Sequence, residues 1–266
     1  MGESASVQMR LQHPRAIAQG RMPPLNRITE HCALFLDFDG TLMNRERRPD
    51  QVAVDGGLLY LLDELYVATA GAVAVLSGRS IEDLDTKLAP LCLPLAGVHG
   101  AQRRRADGRI EQCTIPAAQT WQTRMTLRLR LRRYPGLFLE DRGCAFAVHH
   151  RGASSVTVSR LRADLAALAA TSRGMFEVAE AEDVIELRPP ACDKGAALER
   201  FMSEAPFAGR LPIYIGDDQT DRSAFDAVAR ANGLGISVGA RATAPWRLSD
   251  AVAVRSWLRS GLGLDS

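Results

Sequence analysis

The sequence predicts an α/β protein, because apolar strand-like runs alternate with helical segments and several of the runs end in polar residues. Three apolar runs come first, at residues 33–36, 72–76 and 93–98. They lack polar alternation, which is typical of strands buried on both faces of a parallel sheet. Between them, residues 52–69 and 80–87 are predicted to be helical. This order of strand, helix and strand favours a right-handed, Rossmann-like parallel-sheet unit.

The alternation of apolar runs and helical segments resumes towards the C-terminus. Residues 193–204 and 220–230 have helical spacing, and residues 211–215 form another apolar run. We predict closing strands at 233–238 and 252–254. The second half therefore extends the sheet of the first half.

The middle of the chain has a different character. Residues 121–133 alternate in part with period two, but their length and the stop at Tyr134-Pro135-Gly136 favour a helix. A strand at 145–149, a helix at 156–170 and a hairpin at 175–188 follow. We therefore predict a loose N-terminal lead-in at 1–30, a core formed by 31–112 and 191–266, and an inserted smaller α+β cap at 113–190.

Composition excludes some classes of function. The chain has 266 residues, 46% of them hydrophobic and 24% charged, with a net charge of +2. This balance gives no reason to expect nucleic acid or a membrane as a partner, and the arginines of 124–132 lack the interleaved aromatics of a nucleic-acid site. The five cysteines are scattered and form no C-x-x-C pair, which predicts free thiols in a reducing compartment. We expect a cytoplasmic monomer.

Two acids directly follow the first buried strand. Asp37 and Asp39 are one residue apart and precede Gly40-Thr41. In open α/β sheets the chemistry lies at the carboxyl ends of the strands. Two carboxylates at that edge repel each other unless a cation or a shared proton holds them. The pair therefore indicates a divalent metal and a carboxylate nucleophile.

Three further motifs fall at strand ends or helix starts. Ser77 follows the second strand, Lys194 starts a helix, and Gly216-Asp217-Asp218-Gln219-Thr220-Asp221 follows the apolar run at 211–215. A hydroxyl and a lysine can hold phosphoryl oxygens, and a cluster of acids is costly without a cation. Taken singly, each has a structural explanation, such as a capping serine or a solvated lysine. Their common position predicts phosphoryl transfer.

These motifs resemble those of the haloacid-dehalogenase (HAD) phosphatase superfamily and, within it, the trehalose-6-phosphate phosphatases. Additional segments carry the likeness to that family: Gly97-Val98-His99-Gly100-Ala101, Leu139-Glu140-Asp141-Arg142-Gly143, Val148-His149-His150-Arg151 and Ile185-Glu186-Leu187-Arg188-Pro189. The resemblance covers about residues 30–260 and implies Mg²⁺-dependent hydrolysis of trehalose 6-phosphate to trehalose and phosphate through an aspartyl-phosphate.

The resemblance also implies a role for individual residues. The catalytic residues would be Asp37 as nucleophile, Asp39 as general acid and base, and Ser77 and Lys194 on the phosphoryl group. Magnesium would be held by Asp37, the Asp39 carbonyl and Asp217, with Asp218 and Asp221 in support. The substrate would be bound by Ser77, Gly78, Arg79, Glu140, Arg142, Arg151, Glu186 and Lys194.

Three departures from the family pattern leave the sugar open. Arg142, His150 and Arg222 stand where that pattern usually has Lys, Tyr and Glu. Arginine keeps the charge of lysine but has a different geometry. The alternatives are a phosphatase for sucrose 6-phosphate, mannosyl-3-phosphoglycerate or a monosaccharide phosphate, or a non-catalytic sugar-phosphate sensor.

Overall fold

The structure is a computed structural model that describes residues 27–45, 53–181 and 183–264. Most of the predicted lead-in at 1–30, and Glu182 in the predicted hairpin, lie outside these ranges. Within them, no helix has both the length and the apolar character needed to cross a lipid bilayer. In chain order the elements are β1 (Cys32–Asp37), α1 (Gly56–Ala68), β2 (Val73–Leu76), α2 (Ile81–Leu88), β3 (Leu95–Gly97), β4 (Gln102–Arg104), β5 (Ile110–Gln112), α3 (Ala117–Leu131), β6 (Phe138–Asp141), β7 (Phe146–His149), α4 (Ser155–Thr171), β8 (Glu177–Ala181), β9 (Val184–Arg188), α5 (Lys194–Met202), β10 (Leu211–Gly216), α6 (Arg222–Arg230), β11 (Leu234–Val238), β12 (Trp246–Leu248) and α7 (Ala251–Leu262).

The larger sheet contains eight strands in the order β12-β11-β10-β1-β2-β3-β4-β5. From β12 to β3 all neighbours are parallel, and β4 and β5 extend the edge as an antiparallel hairpin. The central strand β1 is buried along its whole length. This agrees with its continuous apolar sequence, since both faces of a parallel sheet are covered by helices. The predicted α/β fold class is confirmed.

Each face of this sheet has its own hydrophobic core. On one face, Leu34 and Leu36 of β1 share a buried cluster with residues of α1, α2 and α7. On the other face, Phe35 packs in a second cluster with residues of α5 and α6. Successive side chains of a strand point to opposite faces, so β1 contributes to both cores. The helices fix the strand, and the strand fixes where Asp37 lies.

The smaller sheet is antiparallel and has the order β6-β7-β9-β8. Helices α3 and α4 cover one of its faces, where Leu127 and Leu161 pack against Phe146 and Ile185. The opposite face carries Glu140 and Glu186, because both lie in register with Ala147 of β7. We call this face, which α3 and α4 do not cover, the cap face. The α+β content of the predicted insert is present, while its boundaries at 113–190 stay a prediction.

The predicted strand at 252–254 is wrong, because these residues lie inside helix α7. Asp250 caps this helix and accepts a hydrogen bond from the Ala253 amide. The alternation of valine and alanine suggested a strand, but buried Val254, Trp257 and Leu258 follow helical spacing. The closing strand is instead β12, which pairs in parallel with β11.

The prediction that all the cysteines are free thiols is also wrong. Cys113 and Cys192 form a disulfide across a sequence separation of 79 residues. Cys113 lies between β5 and α3, and Cys192 lies between β9 and α5, so the bond joins the two linkers between the sheets. Sequence spacing could not reveal it, because the insert itself brings the linkers together. The pairing removes the cysteine argument for a reducing compartment.

Candidate active site

The predicted catalytic side chains meet at the carboxyl edge of the larger sheet. Asp37 ends β1, Ser77 follows β2, Asp217 follows β10, and Lys194 is the first residue of α5. Strands β10, β1 and β2 are adjacent and parallel, so their ends lie side by side. This is the edge at which open α/β sheets bind ligands.

A buried lysine connects two of the acids. The Lys194 Nζ lies 2.7 Å from Asp37 Oδ1 and 2.5 Å from Asp221 Oδ1. Burial lowers the pKa of Lys194, but the charges of Asp221 and Asp37 more than compensate, so its pKa is raised overall. Burial raises the pKa of Asp37 well above its usual value, although Lys194 opposes the rise. Lys194 therefore provides a fixed positive charge beside the predicted nucleophile.

Asp221 organises the neighbouring loop. Its Oδ2 accepts hydrogen bonds from the backbone amides of Asp217 at 2.8 Å and Asp218 at 2.9 Å. Its Oδ1 accepts from the Tyr214 hydroxyl as well as from Lys194. Both oxygens are thus already engaged within the protein. This arrangement suits a supporting role better than direct metal ligation.

The carboxylates of this edge fit a magnesium ion. Ligand oxygens of Asp37, Asp217 and Asp221 all lie within 4.8 Å of one another. The Asp37 Oδ2 is buried without a hydrogen-bond partner, which leaves it free to accept a cation or a reacting atom. Carboxylate oxygen is the donor type that Mg²⁺ prefers. Both oxygens of Asp221 and of Asp217 have partners in the protein, so Asp37, with one free oxygen, is the side chain best placed as a ligand. Asp217 can join it by exchanging the side chain of Arg45 for the ion.

Arg45 is a cation that the sequence reasoning missed. Its Nε and Nη2 lie 2.8 and 2.9 Å from the two carboxylate oxygens of Asp217, and its Nη2 lies 2.5 Å from Asp218 Oδ2. Burial raises the pKa of Asp218, but Lys194 and Arg45 lower it below its usual value. Gly40 gives the loop room, since a Cβ there would lie 2.2 Å from Asp217 Oδ2. No sequence spacing linked Arg45 to these acids.

Asp39 is held by an arginine of the second motif. Arg79 donates from Nε and Nη2 to the two oxygens of Asp39, at 2.6 and 2.8 Å. Its Nη1 also contacts Asp83 at 2.6 Å. The Ser77 hydroxyl accepts from the Arg79 amide at 3.1 Å. These two hydrogen bonds fix Asp39, the predicted general acid and base, relative to the loop formed by Ser77, Gly78 and Arg79, which we call the serine loop.

His99 was part of a recognised segment but received no predicted role. It has a φ of 52°, which is uncommon for a residue other than glycine. Its ring lies against Gly78, where an added Cβ would come within 2.7 Å of Nε2. The same Nε2 lies 3.2 Å from Glu186 Oε1. His99 therefore connects the serine loop of the core to the cap face.

On the cap face, charged side chains form a continuous chain. Arg142 donates to Glu186 Oε1 at 2.6 Å and to Glu140 Oε2 at 2.8 Å, and His149 Nε2 lies 2.8 Å from Glu140. Burial raises the pKa of Glu140, but His149 and Arg142 lower it overall to about 2. Burial likewise raises the pKa of Glu186, while His99 and Arg142 hold it well below its usual value. Both acids are therefore ionised at neutral pH and can accept hydrogen bonds from hydroxyl groups.

Arg151 does not join this chain. Its Nε pairs with Asp183 Oδ2 at 2.6 Å, and the side chain is 53% exposed. It lies two residues beyond His149, past the end of β7. The other predicted sugar residues of the cap, Glu140, Arg142 and Glu186, are brought together.

Comparison with known proteins agrees with this geometry. The sequence profile of the trehalose-phosphatase family matches residues 35–253. The trehalose-6-phosphate phosphatase of Escherichia coli (strain K12) is 40% identical over 227 residues, which cover 85% of this chain and 85% of that protein.

Solved structures share the fold. One described as a trehalose-6-phosphate phosphatase related protein has 26% identity and a TM-score of 0.70, covering 87% of this chain and 97% of that one. The C-terminal domain of C. albicans trehalose-6-phosphate phosphatase has a TM-score of 0.77 at 19% identity, covering 90% and 94% of the two chains, and shows likeness of fold alone. With the profile match and the 40% identity, the resemblance inferred from the motifs is confirmed: the chain belongs to the trehalose-phosphatase family of phosphoric monoester hydrolases.

Proposed function

We propose that this protein hydrolyses trehalose 6-phosphate to trehalose and phosphate through an aspartyl-phosphate on Asp37. One observation carries the proposal. The Asp37 Oδ2 is buried and unpartnered, while its Oδ1 is held by the charged Lys194. A carboxylate oriented in this way is suited to nucleophilic attack on phosphorus.

In the first step, Asp37 Oδ2 forms a bond to phosphorus and the bond from phosphorus to the sugar oxygen breaks. Asp39 supplies a proton to that leaving oxygen, for which it must first take up a proton and release one of its two hydrogen bonds to Arg79. Lys194 and the Ser77 hydroxyl stabilise the phosphoryl oxygens as their charge develops. Gly78 and Arg79 complete the phosphoryl-binding loop.

In the second step, water attacks the aspartyl-phosphate. Asp39, now ionised, takes a proton from this water, phosphate leaves, and the Asp37 carboxylate is restored. The two steps use the same acid in opposite directions. No further oxidant or co-reactant is needed.

A Mg²⁺ ion would be held by Asp37, the Asp39 carbonyl and Asp217, with Asp218 and Asp221 in support. When bound, it neutralises the charge between the nucleophile and the phosphate dianion. The buried acids of this edge support such a site, because like charges at this separation require a cation. In the structure Arg45 meets part of that requirement.

The sugar would be bound on the cap face. Glu140 and Glu186 are ionised acceptors, and Arg142 between them can donate to hydroxyl oxygens. Arg151 stays a predicted sugar contact that would have to leave Asp183 to reach the substrate. Closure of the cap over the sugar would exclude water during the first step.

A substrate panel tests the proposal. Phosphate release is measured with trehalose 6-phosphate, sucrose 6-phosphate, mannosyl-3-phosphoglycerate and glucose 6-phosphate, with Mg²⁺ and with EDTA. We expect the highest kcat/KM for trehalose 6-phosphate and no turnover in EDTA. A higher kcat/KM for glucose 6-phosphate would reject the proposed substrate. Binding without any phosphate release from the whole panel would instead indicate a sensor.

A further inference from the structure

The cap face is arranged in two rows across the sheet. Pairing places Glu140, Ala147 and Glu186 side by side in one row, and Phe138, His149 and Val184 in the next. The second row is two residues farther along each strand, a step of about 7 Å. All these side chains lie on the same face, opposite the helices, because strand residues alternate between faces.

The first row is nearer to the Ser77-Gly78-Arg79 loop of the core. Glu186 contacts His99 of the core, whose ring lies against Gly78 in the phosphoryl-binding loop. Beyond this row, Cys144 and Ala145 pack at the linkers between the sheets. Since Phe138 lies at the opposite end of β6 from these linkers, its row is the one farther from the core.

Phe138 is a large apolar side chain exposed on the cap face. The residue is 62% exposed, and its ring centroid lies 5.6 Å from that of His149 at an angle of 43°. His149 in turn is fixed by Glu140 at 2.8 Å. An exposed aromatic ring two residues from an ionised acid, on the face of the sheet that also carries Glu186, gives a ligand an apolar surface and a hydrogen-bond acceptor side by side.

This combination matches the chemistry of a hexose. A sugar ring has an apolar C–H face that can cover an aromatic ring and a hydroxyl rim that donates to carboxylates. Phe138 offers the apolar surface and Glu140 the acceptor, one row apart. The step from one row to the next is comparable to the size of one hexose ring.

We propose that Phe138, backed by His149, is the platform for the hexose of the disaccharide that does not carry the phosphate. The proposal rests on the proposed function and adds the residue that selects a disaccharide phosphate over a monosaccharide phosphate. The phosphorylated ring lies at the row of Glu140 and Glu186. A monosaccharide phosphate has no second ring, so it makes no contact with Phe138 and its binding does not depend on that residue.

The test compares Phe138→Ala, Phe138→Tyr and Trp121→Ala in the full-length protein. Trp121 is a matched control, because it is 61% exposed but lies on helix α3, which covers the other face of the sheet. For each protein, kcat and KM are measured with trehalose 6-phosphate and with glucose 6-phosphate. Far-ultraviolet circular dichroism and the melting temperature confirm that each variant is folded.

For Phe138→Ala we expect kcat/KM with trehalose 6-phosphate to fall about tenfold, mainly through KM, from the lost apolar contact. Its kcat/KM with glucose 6-phosphate should not change. Phe138→Tyr keeps the ring and should restore most of the activity, and Trp121→Ala should match the wild type with both substrates. An equal loss with both substrates, or no loss with either, rejects the platform.

Failure of the platform and failure of the proposed function give different results. If the wild-type protein does not hydrolyse trehalose 6-phosphate, the proposed function is wrong, and the proposed role of Phe138 is rejected together with it. If the wild type hydrolyses it and Phe138→Ala does so equally well, only the platform is wrong.

Discussion

His99 of the core lies 3.2 Å from Glu186 of the cap, and this contact connects the Ser77-Gly78-Arg79 loop to the cap face. Glu186 is also held by Arg142 at 2.6 Å, so the acid receives two partners from different parts of the fold. The left-handed backbone at His99 has an energetic cost. This backbone conformation places the His99 ring between Gly78 and Glu186.

The contact predicts energetic coupling between the two residues. In a double-mutant cycle with His99→Ala and Glu186→Gln, effects on kcat/KM should deviate from additivity by about 1 kcal/mol, since the groups touch. Arg109→Ala is the control, because its side chain is 79% exposed and pairs with Asp107, and it should combine additively with Glu186→Gln within about 0.5 kcal/mol. Additive effects of His99→Ala and Glu186→Gln would contradict energetic coupling between core and cap through this contact.

Replacement of Asp37, the proposed nucleophile, should separate an effect on catalysis from an effect on folding. We expect Asp37→Asn to reduce kcat by at least about 10⁴-fold, because an amide cannot form the covalent intermediate. The melting temperature should stay close to that of the wild type, since the side chain keeps its size. Asp63→Asn on the exposed face of α1 is the control. Near wild-type phosphate release by Asp37→Asn would reject the assignment.

Glu140 predicts a pH dependence of stability. Its pKa is lowered from 4.5 to about 2 in the folded protein, where burial is outweighed by His149 and Arg142. The ionised form therefore stabilises the fold fully above pH 4.5, and this contribution is lost as the pH falls from 4.5 towards 2. Glu140→Gln removes it, so the melting temperature should fall less steeply over that range than in the wild type. If the melting temperatures of the two proteins change with pH in parallel, the ionised Glu140 does not stabilise the fold in this way.

Much of the site could be predicted because it depends on local order. Adjacent parallel strands place the residues at their carboxyl ends side by side at the sheet edge, so the sequence alone predicts that Asp37, Ser77 and Asp217 are neighbours. The positions of Arg45 and His99 depend on contacts between segments far apart in sequence. The pairing of Cys113 with Cys192 depends on how the insert closes, for the same reason.

The prediction of secondary structure from the sequence failed where the hydrophobic pattern was short or ambiguous. Strand β12 has three residues, too few for periodicity to show. The valines of 252–254 favoured a strand by propensity, but packing of α7 against α1 determined the outcome. Tertiary contacts override weak local preferences at such positions.

Arg45 predicts how the acidic edge responds to magnesium. In EDTA, Arg45→Ala should melt at a lower temperature than the wild type, because Asp217 and Asp218 lose their paired cation. Saturating Mg²⁺ should then raise the melting temperature of Arg45→Ala more than that of the wild type, since the ion binds only the folded state. Arg109→Ala, at a side chain 79% exposed, is the control. An equal shift in all three proteins would show that Arg45 and the metal do not share these acids.

The disulfide predicts a defined number of free thiols. Of the five cysteines, Cys32, Cys92 and Cys144 are free, so the protein denatured without reductant should titrate three thiols with Ellman's reagent, and Cys113→Ser should titrate four. Reduction should lower the free energy of unfolding by about 2–4 kcal/mol, because the bond closes a long loop in the unfolded chain. Cys92→Ser is the control, since it removes an exposed thiol and should leave the effect of reductant unchanged. Five titrating thiols in the unreduced wild type would show that Cys113 and Cys192 are neighbours without a bond, and that the linkers between core and cap are joined by packing alone.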